Sequence, residues 1–148
     1  ILTIPEHWNE IAVISAESKK SPASREAGPV SAFTLYEKIA YTASIQAGYV
    51  WYLQAYPIGT EFEYNINGVE TVNGRCVLGT DDNHIYLIGF PTGVEYLMDN
   101  TDVRKLTESQ IRYRQLQEET RAVLTNFLEE NGITANEYYS IQDIKFQG

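Results

Sequence analysis

Between Pro57 and Leu106 a turn signal recurs roughly every ten residues, a spacing that leaves room for short strands and none for a long helix. Pro57 and Gly59 open the stretch, and Asn67-Gly68 is a strong two-residue hairpin signal. Thr80-Asp81-Asp82-Asn83 and Pro91-Thr92-Gly93 read as further turns. Phe62, Tyr64 and Ile66 alternate with Glu61, Glu63 and Asn65, so a strand over 60–66 turns an apolar face inward and an acidic face outward. A return strand over 69–79 carries Asn73-Gly74 at its middle, a site for a bulge. His84 to Phe90, apolar almost throughout, reads as a central strand, Val94 to Met98 as the next, and Val103 to Leu106 as a short fifth. The expectation is a twisted antiparallel meander or a small SH3-like barrel over residues 60–106, a description of shape that carries no function.

Helices are expected on both sides of this region. Ser31 to Tyr56 contains no Pro, and at 100° per residue Phe33, Tyr36, Ile39, Ala40, Ala43, Ala47, Val50 and Trp51 share one face, which predicts a helix over 32–55. Tyr41, Ile45, Tyr49, Tyr52 and Tyr56 gather on its other side with Lys38 as the single charge, and Gly48 marks a kink. A second helix, 108–131, is expected to start at the capping box Thr107-Glu108-Ser109-Gln110 and to stop at Asn131-Gly132. Its core stripe is Tyr113, Leu116, Thr120, Val123, Leu124, Phe127 and Leu128. Thr134-Ala135-Asn136-Glu137 is a second box, opening a short helix to about Ile141. Residues 142–148 then either add an edge strand or trail off. The fold class is α+β, one domain of 148 residues with a compact core over 32–148. Residues 1–31 are expected as an N-terminal arm: a strand or helical turn over 9–17, then a Ser/Pro/Gly-rich connector over 18–31.

The net charge of −9 is concentrated in the meander, where residues 60–102 hold eight carboxylates against Arg75 alone. A field of that sign repels phosphate backbones and disfavours direct nucleic-acid binding. No run approaches the roughly 18 apolar residues of a spanning helix, so no membrane association is expected. The start has neither the basic nor the apolar part of a secretory signal and no initiator Met, which suggests a processed end. A lone Cys76 suits a reducing compartment, and a cytoplasmic location is the expectation.

Constellations that carry chemistry are few. Asp81, Asp82 and His84 stand in one turn but lack the Gly and terminal Glu of a calcium loop. Cys76 and His84 lie on neighbouring expected strands, where a Cys beside Val77 and Leu78 reads as a small core residue before it reads as a nucleophile. His7 beside Trp8 has no identifiable partner. Glu17-x-Lys19 and Asp143-x-Lys145 have the acid-x-Lys form of metal-dependent nucleases, but pairs of this kind arise by chance in so acidic a chain. No cofactor and no metal are implied, and the balance is against an enzyme. Arg104, Lys105, Arg112, Arg114 and Arg121 form one basic cluster near the start of the second helix.

These features support a non-catalytic intracellular binding protein. Its outward carboxylates Glu61, Glu63, Glu70, Asp81, Asp82 and Glu95 would engage a protein partner with a basic surface, as an acidic nucleic-acid mimic that inhibits a nucleic-acid-binding protein. One alternative is a homo-oligomeric scaffold whose interface is the face of Tyr41, Tyr49, Tyr52 and Tyr56. The other is a sensor or enzyme for a small anionic ligand, with Arg112 and Arg114 on the ligand.

Overall fold

The computed structural model describes residues 1–16, 28–44, 47–62, 65–66, 70–71 and 75–146, and of 65–66 and 70–71 the backbone alone. Residues 18–27 of the connector expected over 18–31, the acid-x-Lys pair at 17–19, Ile45, Glu63, Tyr64, Asn67-Gly68, Asn73-Gly74 and the side chains of Ile66 and Glu70 lie outside the described residues.

The class is α+β. In chain order the elements are α1 (Trp8–Ile11), β1 (Ala12–Ala16), β2 (Ser31–Glu37), α2 (Lys38–Ala43), β3 (Tyr49–Pro57), β4 (Asn65–Ile66), β5 (Glu70–Thr71), β6 (Cys76–Thr80), β7 (His84–Gly89), α3 (Val103–Glu130) and β8 (Thr134–Ala135). A 3-10 turn follows at Ile141–Asp143. The strands form one antiparallel sheet in the order β1-β2-β3-β7-β6-β5-β4, and β8 joins it on β6. β1 and β4 end this order without pairing to each other, so the sheet is open and is not the SH3-like barrel.

The expected helix over 32–55 is instead β2, the six-residue α2 and β3. Within β3, Trp51, Leu53 and Ala55 alternate with Tyr52, Gln54 and Tyr56, a period of two that aromatic and β-branched residues favour. Trp51 and Leu53 join the core beneath α3, while Tyr56 joins Val77 and Leu87 in a second cluster on the other face. Because both faces of the sheet carry apolar side chains, the segment is apolar all round and fits either period. Gly48 ends any helical continuation: its φ is 85°, and a Cβ there would meet the Glu37 carbonyl oxygen at 2.6 Å.

α3 begins five residues before the expected start. Asp102 is its N-cap, accepting from the Arg104 amide at 3.0 Å, so residues 103–106 are helix and not a fifth strand. Val94 to Met98 forms no strand. The C-terminal end is as expected, with Gly132 at φ 64° beyond Glu130. The buried stripe of Tyr113, Leu116, Thr120, Val123, Leu124, Phe127 and Leu128 packs on the sheet. In place of the short helix over 135–141, Thr134 and Ala135 pair with Thr80 and Gly79, and the Asn136 side chain donates to the Val77 carbonyl at 2.9 Å. A register shift between Val77 and Gly79 accompanies this pairing. Residues 142–146 form no strand, and Ile144 is buried in the core.

Residues 1–16 do not hang loose. Trp8 is fully buried, and β1 pairs with β2 over five residues. No helix among the described residues is long and apolar enough to cross a membrane.

Candidate functional site

α2 owes its existence to the residue before it. Glu37 caps the helix, its carboxylate accepting from the amides of Ile39 at 2.5 Å and Ala40 at 3.0 Å. Capped in this way, α2 runs beside the first turns of α3, and the 97–100 segment closes the gap between them. The result is a groove of about 540 Å³, within the size range of small-molecule sites. Ile39, Ala43 and Leu97 supply its apolar wall, and Lys38, Lys105 and Arg112, against the single carboxylate Glu108, its charge.

The charges of this groove are only partly offset. Lys38 donates to the Asn9 carbonyl at 3.4 Å and Arg112 to the Glu10 carbonyl at 3.5 Å, both neutral oxygens. The nearest carboxylate, Glu108, stands 3.9 Å from Arg112 and is half exposed, a weak pair. Lys105 has no hydrogen bond or ion pair among the described residues. The positive end of the α3 dipole lies at the same place, since Lys105 is in the first turn. An otherwise acidic chain thus concentrates three of its eleven bases on one concave surface. Chemically, the surface suits a phosphate or carboxylate attached to an apolar body.

Of the two arginines expected to act together, only Arg112 reaches the groove. Arg114, two residues on and so about 200° around the helix, lies 5.6 Å over the Tyr96 ring and donates to Gln117 at 3.1 Å. Arg121 donates to the Ile144 carbonyl and covers Phe146. Lys38 and Lys105 were not singled out from the sequence as ligand residues. Lys105, Glu108 and Arg112 follow an i, i+3, i+7 spacing that marks one helix face, so that half of the site was readable. Lys38 comes from a different element, and no local spacing signals it.

Among the described residues, the acidic candidates Glu61, Asp81, Asp82 and Glu95 do not form one surface. Asp81 and Asp82 sit in the β6–β7 turn, and Glu61 follows the end of β3 that pairs with this turn through Ile58 and Asn83. Glu95 contacts Tyr113, whose hydroxyl donates to the Tyr49 carbonyl at the other end of β3, roughly 25 Å away along a nine-residue strand. The Asp81 carboxylate is also occupied, accepting from the Asn83 and His84 amides and from the Tyr86 hydroxyl at 2.7 Å. The Tyr86 bond and the two amides hold it below the usual aspartate range, and burial with the Asp81 charge pushes Tyr86 up to about 12. Asp81 thereby acts as a turn former.

Of the four tyrosines expected on one helix face, Tyr49, Tyr52 and Tyr56 lie in β3 and Tyr41 lies in α2. The register opposes Thr34 to Tyr52 and Tyr36 to Tyr49, which puts these residues on the side away from α3. Tyr49 and Tyr52 stack at 5.7 Å, Tyr41 packs on Tyr36 at 4.8 Å, and the Tyr52 ring crosses Gly89 where a Cβ would stand 2.2 Å away. Tyr56 is buried beneath Arg75, which donates to its hydroxyl at 2.8 Å. Burial raises the Tyr49 phenol, with Tyr52 and Tyr113 adding to the effect.

The remaining constellations stay apart. Cys76 opposes Ile88, four residues from His84 on β7, a separation of roughly 13 Å, and Cys76 bonds the Tyr139 hydroxyl instead. Asp143 accepts from the Ser140 amide in a capping box beside exposed Lys145. Among the described residues no three His, Cys, Asp or Glu side chains converge as metal ligands. No known protein family, curated protein or solved structure matches the chain.

Proposed function

We propose that this chain is a binding protein that takes a small anionic ligand, bearing a phosphate or carboxylate group, in the groove between α2 and α3. The observation that carries this reading is the convergence of Lys38, Lys105 and Arg112 on a groove of about 540 Å³ that holds one carboxylate, the half-exposed Glu108 at 3.9 Å from Arg112, while Lys38 and Arg112 otherwise meet backbone carbonyls. Fixing three cations together against their mutual repulsion costs free energy, and a bound anion offsets that cost. The apolar wall of Ile39 and Leu97 adds an affinity that a bare inorganic ion would not use.

The test is thermal unfolding in low salt with inorganic pyrophosphate in one series and citrate in another, followed by calorimetric titration. A ligand at 100 times its dissociation constant stabilises the fold by about 2.7 kcal/mol. A response to pyrophosphate alone identifies phosphate chemistry, and a response to citrate alone identifies carboxylate chemistry. Lys105→Glu and Arg112→Glu are expected to abolish the response, while Lys145→Glu, a substitution outside the groove, leaves it intact. Wild-type protein that shifts with neither anion, or charge-reversed groove variants that respond like wild type, would overturn the assignment.

A further inference from the structure

Glu37 has no exposed surface, and a desolvated carboxylate is tolerated only where donors surround it. Two of its donors are the amides of Ile39 and Ala40 in the first turn of α2, and the third is the Ser109 hydroxyl of α3. Ser109 is itself fully buried, and the same hydroxyl oxygen accepts the Leu97 amide at 2.9 Å. One chain of hydrogen bonds therefore runs from Leu97 through Ser109 to Glu37 and into α2. Its end points are the three walls of the groove: Ile39 and Leu97 line it themselves, Lys38 follows Glu37, and Glu108 precedes Ser109. The Glu37 backbone is fastened as well, its amide donating to the Gly48 carbonyl at 2.7 Å. An aspartate would cap a six-residue helix equally well, but only the longer glutamate also spans to the neighbouring helix.

We infer that Glu37, with Ser109 as its relay, is the positioning residue of the anion groove, setting the distance of Lys38 from Lys105 and Arg112 without touching the ligand. The inference rests on the anion-binding reading above. Cations on two separate helices act together on one anion best when the helices are held in fixed register, and this buried carboxylate joins α2 to α3 and, through Ser109, to the 97–100 segment. A role confined to capping α2 makes a different prediction for Ser109, whose loss would leave both α2 amides satisfied.

The experiment compares wild type, Glu37→Gln and Ser109→Ala by amide hydrogen exchange and by titration with pyrophosphate and citrate. The expected result is slow exchange at Ile39, Ala40 and Leu97 in wild type, faster exchange at all three in Glu37→Gln, and faster exchange at Leu97 in Ser109→Ala. Both variants lose at least tenfold in affinity for whichever anion the wild type binds, although every groove cation is retained. Ser109→Ala carries the comparison if Glu37→Gln does not fold. A folded Ser109→Ala protein with wild-type affinity, or with unchanged exchange at Leu97, overturns the relay whatever the ligand. Wild type that binds neither anion while exchange follows the expected pattern overturns the binding reading, and the ligand-positioning role with it, leaving a purely structural carboxylate.

Discussion

Glu119 shows how much one side chain accomplishes by collecting donors from distant parts of the chain. Its carboxylate accepts from the Trp8 indole at 2.6 Å, from His7 at 2.6 and 3.1 Å, and from Gln115 at 3.3 Å. Burial by itself would raise its pKa, but the hydrogen bonds from Trp8, His7 and Gln115 outweigh burial and hold it below the ordinary glutamate value. The sign of the linkage follows. The ionised form is favoured in the folded state, so the stabilisation is fully present above the ordinary value of 4.5 and is lost as pH falls through the lowered folded value. Glu119→Gln is expected to lower stability at pH 7 by about 1–2 kcal/mol, since a charge-assisted bond at a part-exposed site is lost. The deficit should shrink as urea unfolding is repeated below pH 4.5. A deficit that stays constant down to the acid transition would show that the carboxylate charge plays no part. His7 had no partner in the sequence because its partner lies 112 positions away, beyond the reach of any local pattern.

At the scale of elements, legibility depended on whether one period stood alone. The buried stripe of α3 was readable because its other face is polar, and only the helix start escaped, where Asp102 caps one turn ahead of the Thr107 box. β7 was readable from its flanking turns. The segment over 31–57 was not, because a sheet with apolar residues on both faces satisfies helical and strand periods together. The deciding signal was Gly48. Gly48→Ala places a β-carbon 2.6 Å from the Glu37 carbonyl oxygen in a backbone conformation at φ 85°, and is expected to cost about 2–3 kcal/mol in urea unfolding. A cost below about 0.5 kcal/mol would mean that the junction between α2 and β3 adopts another backbone path. The same variant should weaken anion binding, because the Glu37 main chain is held at this junction.

For the whole molecule, the two tryptophans bind adjacent positions of α3. Trp8, from α1, donates to Glu119, and Trp51, from β3, donates to Thr120 at 2.9 Å, while Thr120 returns its own hydroxyl to the Leu116 carbonyl at 2.6 Å. Both indoles are fully buried. The middle of α3 is therefore where the N-terminal segment and β3 meet, and residues 1–16 share the core of the sheet rather than forming the arm expected from their sequence. A buried indole with a satisfied N–H reports loss of its surroundings by fluorescence, and the chain has only these two. Trp8→Phe leaves Trp51 as the sole reporter, and Trp51→Phe leaves Trp8. If the chain unfolds as one cooperative unit, each variant's remaining indole gives a urea transition that coincides with the loss of helical circular dichroism in the same protein. An N-terminal segment that detaches first would place the Trp8 transition at lower urea than the dichroism of the Trp51→Phe protein. Coincidence is the expected outcome, because releasing Trp8 would leave the Glu119 carboxylate without its indole donor and open the core at the contact that also seats Trp51.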